Sequence, residues 1–576
     1  MIGKYYEREL AHLRTLALEF AEAHPALAPM LSGQSTDPDV ERLLEGTAFL
    51  SGLIHEKLDG DFPEIVHGLI QLIFPHYLRP IPSATLMRFV PKRSLRETIV
   101  VPKGTAIDAV ASEETRCTFT TCSDVAISPM TVAGAGFESA GGAAGVLRVE
   151  LRLEGMGLSA FKPDAIRFHL AGVYTGASRR YWILFTRLRD LRLVTPEGRS
   201  ISLGRRALRP VGFDPADTLI PYPDRSFPGY RILQEYFILP EKFLFFDVTG
   251  LNQWHNRGAG AGFRLEFEFA NLPADLPPMR EEHFQLFVSP ALNLFPHQAD
   301  PIVLDHKRAE YLIRAGGGNP RNYQIYAVNR VTGIGQGTVR EREYQPFELF
   351  NPQVDTAPVY ALHHRLSPLD GKAELHISVA YPGGQEDPAP ETLSLEIMCT
   401  NGTLPEMLRP GDVRLPTESS PELAEFSNLR APTAPVQPPL GKNLLWRLLS
   451  HLFLNYLSMA NAENLRAVLK LYIFTETRDR AAVMANLQRV ESIQELSVQA
   501  SDRFVGGHLL RGQEILIRMD PRGFAGEGDL YLFGSVLDVF LGNYAAINAY
   551  TRLTVEDTLR KERLTWPIRL GDRILL

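Results

Sequence analysis

The sequence predicts an α+β multidomain protein, with N-terminal helices, a β-sandwich-like middle region, and C-terminal helices plus a small antiparallel α+β layer. Three observations carry this. Apolar residues near the start recur at spacings of three and four. From about residue 84, short alternating runs are cut by Gly and Pro. After a proline-rich stretch, helical and strand patterns take turns. The 576 residues suffice for roughly three or four domains. With 45% hydrophobic and 22% charged residues, the chain has the composition of a protein with real cores. Sixty Lys and Arg against 67 Asp and Glu leave a formal charge of −7, which argues against a general attraction to nucleic acid or anionic lipid. Three cysteines cannot staple a secreted fold and point to a reducing compartment. The opening residues, Met1 to Leu10, are charged where a secretion signal needs an apolar run. The densest apolar stretch, Leu444 to Leu457, is broken by Arg447, His451 and Asn455 and falls short of the ~20 residues of a bilayer span. A cytoplasmic chain without direct membrane insertion is expected.

Residues 1–83 form the helical segment. Tyr6, Leu10, Leu13, Ala17 and Phe20 share one helical stripe, which stops near His24-Pro25. Asp37-Pro38-Asp39 is a helix start, with an N-cap carboxylate and a first-turn proline, and Val40, Leu43, Thr47, Leu50 and Ile54 repeat the stripe. Asp61-Phe62-Pro63 opens a third helix through Ile65, Leu69, Leu72 and Ile73. Residues 1–80 carry 12 acids against 6 bases. Helices this short are marginal alone, so the stripes either pack on the rest of the chain or form a bundle shared with a partner.

Residues 84–352 read as one or two β-sandwich-like domains. Their strands include Thr98 to Val101, Val146 to Leu153, Tyr181 to Phe185 and Phe263 to Phe269, with a long loop from Arg209 to Arg231. Residues 353–404 continue the strand-rich pattern from Ala373 to Met398. Residues 405–441, with eight prolines, form an extended connector and a domain boundary. Residues 442–576 are a C-terminal α+β domain. Helices run from Asn443 to Met459 and through Leu465 to Tyr472, followed by strand, strand, helix (Leu530 to Phe540) and strand.

No catalytic residue, cofactor-binding residue or metal ligand emerges. His363-His364 lacks companions at metal-ligand spacing, and Cys117 and Cys122 lack a second pair. Ser450 and His451 are consecutive on a helix and do not face each other. Gly333 to Gly337 and Gly316 to Gly318 are turns without the context of a phosphate loop, and Asp59-Gly60-Asp61 lacks the later ligands of a calcium loop. The segment from Arg179 to Arg209 holds nine arginines and two acids. It is read as a solvated strand face, a docking face for an acidic protein, or a nucleic-acid groove, the last disfavoured by the scarcity of aromatics.

Three blocks together resemble the TssF (VasA/ImpG) family of type VI secretion system baseplate subunits. The first holds Tyr5-Tyr6, Glu9-Leu10, Phe20-Ala21, His24-Pro25, the run Asp37 to Gly46, Pro75-His76 and Arg79 to Ser83. The second is Cys399 to Gly402 with Leu404-Pro405. The third is Trp446 to Leu452 with Leu454 to Ser458, continued by Arg511-Gly512, Phe524 and Gly526. The likeness spans essentially the whole chain. Its one departure is Gly402, where Arg is expected after Thr400-Asn401. The resemblance implies a structural, non-enzymatic role in the baseplate wedge, with no cofactor. Two copies would join one TssG, contact TssK and TssE, and surround the VgrG hub, so that sheath and tube polymerise from the baseplate docked at the inner-membrane complex. Under it, Tyr6, Leu10, Leu13, Phe20, Leu43 and Leu50 are the expected partner-binding residues, and 405–441 is expected to let the end domains reorient. The competing class is a β-sandwich carbohydrate-active or carbohydrate-binding protein, which would need two carboxylates facing across a pocket.

Overall fold

The computed structural model describes residues 2–24, 38–58, 70, 75–111, 114–141, 143–222, 227–255, 257, 260–335, 341–347, 358–367, 371–381, 390–440, 461–475, 479–505, 508–545, 547 and 549–571. The chain divides into two compact units, Met1–Leu78 with Pro439–Leu449, and Arg79–Pro438 with Ser450–Leu576. In the first unit, α1 (Ile2–Ala23) packs on α2 (Pro38–Leu58). The helices expected from Asp61 and from Asn443, and the Asp59-Gly60-Asp61 and Ser450-His451 motifs, lie outside the described residues.

The second unit is built on sheets. Five strands, Ser200–Ser202, Leu188–Val194, Gly262–Phe269, Ala144–Leu153 and Met130–Gly141, lie side by side in that order. Leu147, Val149, Leu151 and Leu153 are buried while their neighbours are more open, the period-two pattern of a sheet with one covered face. A four-stranded sheet, Leu208–Val211, Phe245–Thr249, Ala165–Leu170 and Phe284–Leu286, meets it where Phe246 abuts Phe267 edge-on, with centroids 6.4 Å apart. An eight-stranded sheet draws on both sides of residue 352. Gln324–Gly335 pairs along Glu391–Thr400 and Glu341–Pro346 runs parallel to Val359–Leu366, so 353–404 completes a core begun before it.

Residues 405–441 require a correction. They are extended and helix-poor, yet they do not form a free tether. Val413–Leu415 and Ala424–Asn428 are the two edges of a six-stranded sheet, paired with Ala106–Ala109 and Ala84–Pro91 respectively. Ile81 and Val436 exchange backbone hydrogen bonds of 2.8 and 3.0 Å. Proline is tolerated at sheet edges, where no inward donor is needed, and that is where this segment lies.

The run Tyr181 to Phe185 is helical, not a strand. It sits in α3 (Tyr174–Arg187), with Tyr181, Trp182, Ile183 and Leu184 all buried. A short, wholly apolar run carries no period of its own, so burial on all sides decides it. The expected Arg209 to Arg231 loop contains the end of a strand and the start of α4 (Pro228–Ile238), whose first position is a proline.

At the C-terminal end α5 (Ala462–Leu471) buries Leu465, Val468 and Leu469 as its spacing predicts. After α6 (Arg480–Glu491), Ile493–Val505 and His508–Met519 form a hairpin, and α7 (Glu527–Gly542) leads to Ala549–Asp557. That last strand runs parallel to His508–Met519, so the layer is mixed and not wholly antiparallel. The helix between them returns the chain to the same end of the sheet, as a parallel pair needs.

Candidate association surfaces

The helix pair of the first unit is stitched through small residues. Ala48 is fully buried on α2. One turn on, a Cβ at Gly52 would lie 3.1 Å from the backbone nitrogen of Tyr6. At the other end Arg14 Nη2 donates to Glu41 Oε1 at 2.6 Å. Tyr6 against Gly52 and Arg14 against Glu41 make the pair antiparallel. Leu50 and Ile54 stand two residues on from Ala48 and Gly52, about 200° round the helix, and are 62% and 61% exposed. Leu43, on the same outward face, is 70% exposed. On α1, Leu16, Leu18 and Phe20 are also exposed, the Phe20 ring lying 4.4 Å from that of His24.

Of the residues singled out from the sequence, Tyr6, Leu10 and Leu13 are half-buried, whereas Phe20, Leu43 and Leu50 are open to water. The spacing places them correctly on stripes. Spacing alone does not distinguish the stripe that faces a helix within the chain from one that faces outward. The most deeply buried positions of α2 are Ala48 and Gly52, and hydrophobicity patterns give such small residues little weight.

Elsewhere the buried titratable groups are joints. Glu235, fully buried on α4, accepts from Arg231 Nη1 at 3.2 Å, from Lys242 Nζ, and from the backbone nitrogens of Leu219 at 2.8 Å and Ile220 at 3.3 Å. Burial holds the Lys242 ammonium below its usual range, partly countered by Glu235. Asp529 on α7 accepts from Arg489 Nε at 2.9 Å, Tyr174 Oη at 2.7 Å and the backbone nitrogen of Ala525 at 3.0 Å. Each carboxylate has its acceptor sites filled by donors of the chain, which is how a buried charge is kept in a fold. No sequence pattern marks Glu235 or Asp529, because their partners come from distant segments.

The motifs weighed for chemistry resolve into structure. Cys117, Cys122 and Cys399 are buried, and burial pushes each thiol up to about 12, far from a reactive thiolate. His363 lies on a strand with Nε2 2.9 Å from Ser378 Oγ. Among the described residues no group of three His, Cys, Asp or Glu could hold a metal ion. Gly333 is not in a turn but within the strand Gln324–Gly335, where a Cβ would overlap the Glu391 carboxylate and the Tyr344 ring. Glu391 there accepts from both Tyr344 and Tyr381. In the arginine-rich segment, Arg180 is buried, donating to the Pro278 and Ala171 carbonyls at 2.8 and 3.2 Å, and desolvation lowers it to about 10. Arg179 pairs with Asp275 at 2.8 Å and Arg192 with Glu268 at 2.8 Å. The first third of this segment is therefore a helix, and the solvated strand face is confined to the residues after Arg187.

The motifs that suggested a family are also joints. Asn401, wholly buried, accepts from Asn293 Nδ2 at 2.7 Å and donates its backbone N–H to Asn293 Oδ1 at 2.7 Å, tying the eight-stranded sheet to the six-stranded one. Gly402 has φ +54°, a left-handed conformation that glycine adopts without the strain of a side chain. The Arg79 guanidinium lies 5.3 Å from the centroid of the Tyr326 ring. Gly512 leaves room for the Tyr550 ring on the neighbouring strand, which a Cβ would overlap.

The sequence model of the family described as "Type VI secretion system, TssF" matches residues 1–573. The type VI secretion system component TssF1 of Pseudomonas aeruginosa is 30% identical over 99% of this chain and 98% of its own length. A chain in the cryo-electron microscopy structure of the type VI secretion system TssK-TssF-TssG baseplate subcomplex is 29% identical. It superposes with a TM-score of 0.75 over 92% of this chain and 99% of that one. A chain of another structure, the baseplate complex from the type VI secretion system, shares the fold at 24% identity and a TM-score of 0.61 over 100% of both chains. The order of the motifs, their roles as joints and a match that runs from the first helix to the last strand place this chain in the TssF family of the type VI secretion system.

Proposed function

We propose that this chain is a structural subunit of the type VI secretion baseplate wedge and that its work is association, not turnover of a substrate. Two copies would join one TssG, dock TssK and TssE, and surround the VgrG hub, in the cytoplasm at the inner-membrane complex, so that sheath and tube can assemble. The observation that carries this reading is the outward row Leu43, Leu50 and Ile54, left in water on a chain that matches its family from end to end. Covering each of these side chains contributes about 1.5–3 kcal/mol before the costs of association. The charged neighbours Asp39, Glu41, Arg42 and Glu45 would penalise mismatched partners. The baseplate subcomplex that holds the 29% identical relative, with TssK and TssG named in it, supports TssG as the occupant.

Tyr6, Leu10, Leu13, Phe20, Leu43 and Leu50 are the residues assigned to that contact, with Phe20, Leu43 and Leu50 the ones open to take it. Co-expression of TssG with the double variant Leu43→Asp, Leu50→Asp tests the assignment. TssG is expected to be lost from the purified complex while the variant's own thermal unfolding is unchanged. Retention of TssG at wild-type yield would refute it.

A further inference from the structure

An open cleft of about 1090 Å³ lies in the second unit, walled by the end of α3, the strand Leu208–Val211, α7 and the C-terminal sheet. Its walls carry Arg187, Arg205, Arg209, Arg552, Arg563 and Arg569 against Asp214 and Glu562. Two of these arginines are neutralised within the wall. Arg563 Nε donates to Glu556 Oε2 at 2.7 Å, and Arg569 donates to Asp538. The others keep unused capacity. Arg205 commits one nitrogen to the Phe185 carbonyl at 2.9 Å. Arg187 lies over the Trp182 ring at 5.1 Å, and its buried Nε has no hydrogen-bond partner. The side chains of Arg209 and Arg552 make no hydrogen bond or ion pair among the described residues. Four guanidinium groups with free donors thus converge on one cleft.

The cleft is also bordered by strand edges. Leu208–Val211 is the edge of the four-stranded sheet and Arg563–Thr565 is an edge of the C-terminal one, and both contribute to its walls. An edge strand presents backbone donors and acceptors to an incoming chain.

We propose that this cleft docks an acidic, extended polypeptide segment of a partner chain, with its carboxylates on Arg187, Arg205, Arg209 and Arg552 and its backbone along an edge strand. Guanidinium forks bind carboxylates through paired hydrogen bonds, which suits side chains projecting from a strand. Nucleic acid fits less well. A single strand needs open aromatic faces to stack on, and of the rings that line the cleft Tyr181 and Trp566 are buried, the latter stacked on Tyr531, while Phe185 and Phe213 are half-buried with each ring against a buried one, Tyr181 at 4.5 Å and Phe243 at 4.9 Å. The site lies on a different unit from the helix pair and does not depend on the TssG assignment.

The test uses the full-length chain and fluorescence anisotropy with three labelled probes. They are a peptide of about eight alternating Glu and Thr residues, a strand's length, its Gln-for-Glu counterpart, and single-stranded DNA of similar length. The acidic peptide is expected to bind, with the Gln peptide weaker by about tenfold or more. The Arg209→Ser, Arg552→Ser double variant, which removes charges that hold nothing else in the fold, should weaken acidic-peptide binding by a similar factor. Arg511→Glu, at a 94% exposed side chain that does not line the cleft, should leave it unchanged. Absence of acidic-peptide binding, equal loss in Arg511→Glu, an unaffected double variant, or tighter binding of DNA would each overturn the proposal.

Discussion

The two helix pairs α1–α2 and α3–α7 both cross through a glycine, but they leave opposite things in water. At Gly528 on α7 the chain approaches the backbone of Ser178 and Arg179 on α3 so closely that a Cβ would overlap it. Around that crossing the large side chains point inward, with Leu532, Phe533, Val536, Leu537 and Phe540 all fully buried. At Gly52 the approach to α1 is looser, and the buried positions are the small Ala48 and Gly52 while Leu43, Leu50 and Ile54 face out. A helix apolar on nearly every side belongs inside a fold, and α7 obeys this. In α2 the apolar face and the packed face differ, so the outward leucines and isoleucine contribute little burial to the fold of the free chain. The contrast separates a covered core from an uncovered apolar face.

Breaking the joint that holds the α7 side of this comparison should have the largest effect. Asp529→Ala leaves Arg489, with a side chain 10% exposed, buried without its anion. Removing one partner of a buried pair costs about 3–5 kcal/mol, to be read from urea unfolding. A loss below about 1 kcal/mol would mean that packing, not charge, positions α7.

The two glycines sharpen the comparison. Gly528→Ala forces a methyl group against the rigid backbone of α3, and overpacking of this kind costs about 1–3 kcal/mol. Gly52→Ala meets Tyr6 at 3.1 Å, a distance that a shift of a few tenths of an ångström relieves. The gain in helix propensity, up to about 1 kcal/mol, offsets much of that strain. Thermal or urea unfolding should therefore show a clear loss at Gly528 and almost none at Gly52. Equal losses would mean that both pairs are closed in the same way.

Much of the fold is legible in the sequence, for reasons visible in particular elements. Val146 to Leu153 and Phe263 to Phe269 alternate because one face of their sheet is covered, and the stripe of Leu465, Val468, Leu469 and Tyr472 survives intact as a buried face. Tyr181 to Phe185 does not reveal itself, since a run buried on every side has no period to read. Residues 405–441 mislead because proline marks a linker and an edge strand equally well. The outward row on α2 is legible as a stripe, but its direction is not. Direction depends on Ala48 and Gly52, whose small size gives no hydrophobic signal yet lets two helices meet.

The smallest expected effect is also the one that decides between the two halves of the comparison. Leu43→Ala and Leu50→Ala in the isolated chain should each change the unfolding free energy by no more than about 0.5 kcal/mol, as exposed positions do. Leu537→Ala, at a fully buried position on α7, should lose about 2–5 kcal/mol by the same measurement. The same leucine-to-alanine deletion thus acts as a probe of whether a cover is present. A loss of about 2 kcal/mol at Leu50 would mean that its side chain is already covered in the free chain. The outward row would then belong to the fold itself, and the case for a partner on α2 would have to rest on other residues.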